Sequence, residues 1–195
     1  MKLPDQQFDV VLCDPPWAYH GQQDKMGAAA KFYPLMSDED LLAFPLEQVL
    51  APRGVLFMWA TMPRLDFAID LIRARGLHYR GGAFVWVKSK KSDPGVPVGA
   101  QGVRPSIVKP TSEIVLAASR VKKGRPMKLS DESVRHIILA PKGEHSVKPD
   151  DVHERIERLY PNASKIELFA RRPREGWTVW GNEINEEGTP IHGAA

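Results

Sequence analysis

Short apolar runs rich in β-branched and aromatic residues recur along this chain, and helix-period segments lie between some of them. "FDVVLC" (8–13), "GVLFMWA" (54–60), "GGAFVWV" (81–87), "EIVLAAS" (113–119), "VRHIILA" (134–140) and "KIELFA" (165–170) read as strands, with "WTVWG" (177–181) a short final one. The second is entered through "APRG", which reads as a turn. "SDEDLLAFPLEQVL" (37–50) opens like a capping box, Ser37 with Asp40, and is interrupted by Pro45. "PRLDFAIDLIRARG" (63–76) starts on Pro63, stops at Gly76 and puts Leu65, Ala68, Ile69 and Ile72 on one face. "KPDDVHERIERLYP" (148–161) carries aspartates in its first turn and aligns Val152, Ile156 and Leu159.

Strands alternating with helices predict an α/β fold: a mostly parallel sheet with helices on both faces. Ligands in such sheets bind at the carboxyl ends of strands, which is where Asp14 falls. Three segments, 18–34, 88–110 and 120–133, read as irregular insertions near strand ends, placed to wall one cleft. One domain over 1–184 with a short tail, 185–195, is the expected organisation.

Composition narrows the field modestly. No stretch approaches a membrane span of roughly 18 apolar residues, and the N-terminus lacks a signal-peptide core. The single cysteine, Cys13, forbids an internal disulfide and fits a reduced, cytoplasmic setting. Inside an apolar strand it reads as core. The six histidines have no metal-ligand spacing, so no metal is expected. Net charge is +3, with positive charge concentrated in "WVKSKKS" (86–92) and "SRVKKGRPMK" (119–128). Two such stretches in one small domain favour a nucleic-acid partner.

The first strand ends in "DPPW", residues 14–17. A turn with a capping aspartate and a packed tryptophan is one reading. Another is chemical. An amino group conjugated to an aromatic ring is a poor nucleophile until its hydrogens are held so that the lone pair leaves the ring plane. The Asp14 carboxylate and the Pro15 carbonyl are two acceptors suited to that task. Pro16 stiffens the step, and Trp17 can stack on a base.

"DPPW" after an apolar strand resembles the catalytic motif of amino-group methyltransferases that use S-adenosyl-L-methionine. The likeness extends through "FYPLMSDEDL" (32–41), "GVLFMWAT" (54–61), "FVWVKS" (84–89), "KPTSEIVLAAS" (109–119), "HSVKPDDVHERIERLYPNASKIELFAR" (145–171) and "GWTVWGNE" (176–183). These segments are similar, in order and spacing, to the family that contains the catalytic subunit of the eukaryotic mRNA adenine-N6 methyltransferase together with bacterial and phage DNA adenine methyltransferases. The resemblance implies a Rossmann-like fold with permuted motif order, catalytic strand first and cofactor strand last. No G-x-G-x-x-G follows the first strand, in keeping with that order.

Carried over residue by residue, the resemblance makes Asp14, Pro15, Pro16 and Trp17 catalytic. It assigns the cofactor to Asp14, Lys148, Glu167, Leu168, Phe169, Arg171, Asn182 and Glu183. Tyr33 and Glu113 match positions beside the target base. The eukaryotic member has an amide where Glu183 stands and a Pro-His-Asn run where this chain reads "RPREGW" (172–177), so Arg172 or Arg174 is expected to meet the cofactor's carboxylate end. Lys88, Lys90, Lys91 and Arg104 are expected to meet phosphates.

The expected reaction is methyl transfer to adenine N6 in DNA, with RNA adenine or a non-catalytic nucleic-acid-binding subunit as alternatives. Asp14 disfavours cytosine-N4 chemistry, where serine usually replaces it. A bacterial or phage protein acting as a monomer or homodimer is the simplest expectation, with a second subunit as an alternative.

Overall fold

A computed structural model describes residues 2–17, 35–100, 107–143 and 147–185. They form a seven-stranded sheet: β1 (Phe8–Cys13), β2 (Leu50–Thr61), β3 (His78–Ser89), β4 (Ser112–Ser119), β5 (Ile137–Pro141), β6 (Lys165–Leu168) and β7 (Thr178–Trp180). Three α-helices accompany it: α1 (Asp38–Ala43), α2 (Leu65–Ala74) and α3 (Asp151–Leu159). The strand order is β5-β3-β4-β2-β1-β6-β7. Every neighbouring pair is parallel except the two that involve β4.

The sheet is buried on both faces, so its central strands carry unbroken apolar runs, Val10–Cys13 in β1 and Val55–Ala60 in β2. In β1, Val11 and Cys13 join the core under α1 and α2, with Leu41, Ala68, Leu71 and Ile72. Val10 and Leu12 join the opposite core under α3, with Val152 and Ile156. Cys13 is fully buried, and burial, with the charges of Asp14 and Glu167, pushes its thiol well up. Among the described residues, no helix is long and apolar enough to cross a membrane.

Two expected elements are reshaped by local chemistry. Ser37 caps α1, its hydroxyl accepting from Asp40 N at 3.1 Å. Pro45 then ends the α-helical run, and Leu46–Val49 continue as a 3-10 turn. "APRG" is a bulge within β2 rather than a turn before it: β1 advances from Phe8 to Val10 while β2 advances from Leu50 to Val55.

The irregular insertions also resolve differently from expectation. Because β4 runs against its neighbours, its C-terminal end lies at the edge of the sheet opposite Asp14. Segment 120–133 begins there and packs on the end of α3, with Ser130 N donating to Leu159 O at 2.9 Å. It therefore cannot wall the cleft at Asp14. Beyond β3, residues 88–98 form a tight hairpin. Val98 N donates to Lys88 O and Lys90 N to Val96 O, both at 2.9 Å, and Asp93–Val96 close the turn at 3.0 Å with Pro94 at its second position. Segment 18–34 lies outside the described residues.

Candidate active site

Strand β1 is the point at which the sheet order reverses. The chain steps from β1 to β2 on one side and, after β5, returns to place β6 on the other. A crevice at the carboxyl ends of β1 and β6 follows from that topology. Asp14 stands at its edge, with Asp14 N donating to Leu168 O at 3.4 Å across the β1–β6 pair.

The Pro-Pro step is held by its carbonyls. Pro15 O accepts Trp17 N at 2.8 Å, a three-residue turn around Pro16, and Pro16 O accepts Met36 N at 3.1 Å. A carbonyl has two acceptor sites, so Pro15 O retains one. Trp17 is only 5 % exposed. Its indole Nε1 donates to Trp59 O at 3.2 Å and its ring meets Phe67 edge-on at 6.1 Å. Arg64, itself buried and paired with Asp38, lies over the Phe67 ring at 4.4 Å. The expected stacking of Trp17 on a base is thus replaced by packing: the ring is committed to the core and braces the turn that carries Asp14 and Pro15.

Four charged side chains alternate along the rim. Lys148 Nζ is 2.7 Å from Asp14 Oδ2 and 3.5 Å from Glu113 Oε2. Lys88 Nζ is 2.7 Å from Glu113 Oε1. The register Thr61↔Glu113↔Trp86 sets Glu113 at the start of β4, beside the end of β3 that carries Lys88. Both ammonium groups lie near indole rings, Lys148 at 5.3 Å from Trp59 and Lys88 at 5.2 Å from Trp86. Those two tryptophans were not singled out from sequence. An all-apolar strand gives no sign of which residue ends under a cation.

The two carboxylates are driven apart. Burial pushes Asp14 above the ordinary carboxylate range; Lys148 opposes this, Glu113 adds to it and Arg171 opposes it. Burial raises Glu113 as well, but Lys148 and Lys88 together outweigh it and hold Glu113 below its usual value. Lys88 is thus paired with Glu113, whereas Lys90 and Lys91 are exposed on the hairpin.

The expected cofactor residues cluster around the end of β6, with differences among them. Leu168 is fully buried, and its carbonyl accepts Asp14 N. Phe169 adopts a positive φ of 61° and sits between Phe44 at 5.0 Å and Trp180 at 5.5 Å. Arg171 Nε lies 3.5 Å from Glu183 Oε1, and Asn182 is exposed beside them. Gly181 packs so closely on the 169–170 backbone that a Cβ there would sit 2.4 Å from Ala170 O. Glu167 faces away from this group and meets His153 Nε2 at 2.9 Å. Arg172 pairs with Asp150, and Arg174 with Asp150 at 3.1 Å and Glu157 at 2.9 Å. Both arginines are thus engaged by carboxylates rather than held for an incoming one. Tyr33 and Arg104 lie outside the described residues.

Residues 8–183 match the MT-A70 family, which takes in the tetrad, the charged rim and the end of β6 together. The chain belongs to the MT-A70 family. An MT-A70 match of this extent carries an S-adenosylmethionine-dependent methyltransferase fold of N6-adenine methyltransferases. The type II methyltransferase M.MunI of Mycoplasma sp is 32% identical over 97% of this chain and 83% of its own length. The human N(6)-adenine-specific methyltransferase METTL4 is 27% identical over 91% of this chain and 37% of its own. The human N(6)-adenosine-methyltransferase catalytic subunit METTL3 is 27% identical over 92% of this chain and 28% of its own. This MT-A70 chain thus spans most of the bacterial relative and well under half of the human ones.

Proposed function

We infer that this MT-A70 chain transfers a methyl group from S-adenosyl-L-methionine to the exocyclic N6 of adenine in DNA. The observation that carries the reading is the pair of oxygens at the end of β1: a half-buried carboxylate and, one residue on, a carbonyl fixed by the Pro15–Trp17 turn.

The cofactor fits the residues present. Asp14 offers a negative charge to its cationic end. Asn182 and Glu183 offer a side-chain amide and a carboxylate to ribose hydroxyls, on a loop that Gly181 lets approach β6. When bound, the cofactor supplies an electrophilic methyl group on sulfur.

The chain's own residues do the rest. Asp14 and the open acceptor site of Pro15 O hold the two N6 hydrogens, which turns the nitrogen lone pair out of the ring plane. Asp14 also offsets positive charge as it develops on nitrogen. Lys148 gives up its contact with Asp14 as the amine arrives and keeps Glu113, 3.5 Å away, as its partner. Glu113, held ionised by Lys148 and Lys88, is an acceptor at the rim for the base. Adenine in duplex DNA must leave the stack to reach this crevice, so base flipping belongs to the proposal.

DNA is favoured over RNA by the match to a bacterial type II methyltransferase along most of its length. Transfer of tritium from labelled cofactor to duplex DNA, single-stranded DNA and RNA tests the reading. Incorporation into N6-methyladenine in DNA is expected; incorporation into RNA alone overturns the choice of acceptor, and none anywhere overturns the chemistry.

A further inference from the structure

We propose that the 88–98 hairpin enters the major groove of duplex DNA beside the target adenine, with Lys90 and Lys91 bound to backbone phosphates. The proposal rests on DNA being the acceptor.

Three observations support it. The hairpin leaves the sheet at the catalytic edge, because β3 ends beside Glu113 and the Lys88–Glu113–Lys148–Asp14 chain fixes its root to the site. It is a short antiparallel hairpin, closed by the Lys88–Val98 and Lys90–Val96 bonds and by a turn in which Asp93 Oδ1 accepts Gly95 N at 3.2 Å. A B-DNA major groove about 12 Å wide and about 8.5 Å deep admits such a ribbon. The deep, narrow major groove of duplex RNA does not.

Charge completes the match. Lys90 and Lys91 are both exposed at the base of the hairpin loop, where their ammonium groups can meet phosphates. The ribbon's one carboxylate, Asp93, is turned into the tip's own hydrogen bond.

Fluorescence anisotropy of a labelled DNA duplex, titrated with the full chain across a salt series, tests the proposal. Lys90→Ala/Lys91→Ala is expected to lower the log–log salt slope by about two and to weaken binding at least tenfold at physiological salt. Lys90→Arg/Lys91→Arg is expected to keep the slope. Glucosylated hydroxymethylcytosine in the duplex, which fills the major groove, is expected to weaken the wild type, and netropsin in the minor groove to leave it unchanged. Thermal melting and calorimetry with S-adenosylmethionine verify that the variants keep their fold.

An unchanged slope, competition by netropsin alone, or a loss confined to RNA duplexes overturns the proposal. Methyl transfer to the same duplex is read separately. Transfer with an unchanged slope rejects the hairpin and keeps the function. Lysine-dependent groove binding without transfer keeps the hairpin and rejects the function.

Discussion

Lys148 Nζ lies 2.7 Å from Asp14 Oδ2, so the carboxylate at the end of β1 meets a cation from the segment leading into α3, 134 residues later in the chain. The pair joins the first and last thirds of the sequence at the crevice. Asp14→Ala removes one of the two acceptors for the amine hydrogens. Transfer is expected to fall by a factor of about 10²–10³ or more, while cofactor affinity stays within about tenfold. Single-turnover transfer and calorimetry on the same sample separate the two quantities. Retained transfer excludes the assigned role.

Trp17 acts through packing. Its indole is buried among α2 side chains and hydrogen-bonded to Trp59 O. Trp17→Ala is expected to cost about 3–5 kcal/mol of unfolding free energy, as a large buried aromatic does. Trp17→Phe fills much of the volume and loses the hydrogen bond, costing about 1 kcal/mol. Denaturant melts measure both. A base-stacking ring at the surface would leave stability nearly unchanged and weaken DNA binding instead.

Much of this was legible in the chain itself. β1 was found with its observed bounds because an unbroken apolar run met an acidic residue and two prolines. Pro45 marked the end of α1. Asp14, Lys148 and Glu113, distant in sequence, were named through family resemblance, and the structure brings them together. The direction of β4 was not legible, because strand direction is decided by pairing partners rather than by local pattern. That one reversal moves segment 120–133, and its lysines, to the far edge of the sheet. Lys88 and Lys90 look alike in "WVKSKK", yet one ends beside Glu113 and the other in solvent. "SDPGVPV" held the turn residues of a hairpin, but its prolines masked the pairing that the flanking backbone makes.

Gly181→Ala probes the loop that presents Asn182 and Glu183. The added Cβ would lie 2.4 Å from Ala170 O and 2.9 Å from Ala170 N, both backbone atoms that cannot swing aside. The loop must lift from β6. A stability loss of about 1–3 kcal/mol is expected, with a larger proportional loss of cofactor affinity than of DNA affinity. Calorimetry with S-adenosylmethionine, set against anisotropy on a DNA duplex, gives the ratio. Equal affinities before and after substitution would detach this loop from cofactor binding.

The pH profile of transfer tests the electrostatics of the rim, and its sign follows from Asp14. Only the ionised carboxylate accepts both from an amine and against developing positive charge, so the rate falls as pH drops through the Asp14 pKa. Burial raises that pKa, so the acid limb is expected above the ordinary aspartate value of about 4. Lys148→Met removes the largest opposing influence and moves the limb upward. Glu113→Gln removes a neighbouring negative charge and moves it downward. Stability has its own sign: a carboxyl whose folded pKa is raised supports the fold when protonated, and that support is lost as pH rises through the folded value. Asp14→Asn is therefore expected to lose transfer while its melting temperature declines less than the wild type's from acid to neutral pH. Single-turnover rates and thermal melts across the same pH series check both. Limbs that shift in the same direction for Lys148→Met and Glu113→Gln would show that a group other than Asp14 controls the rate.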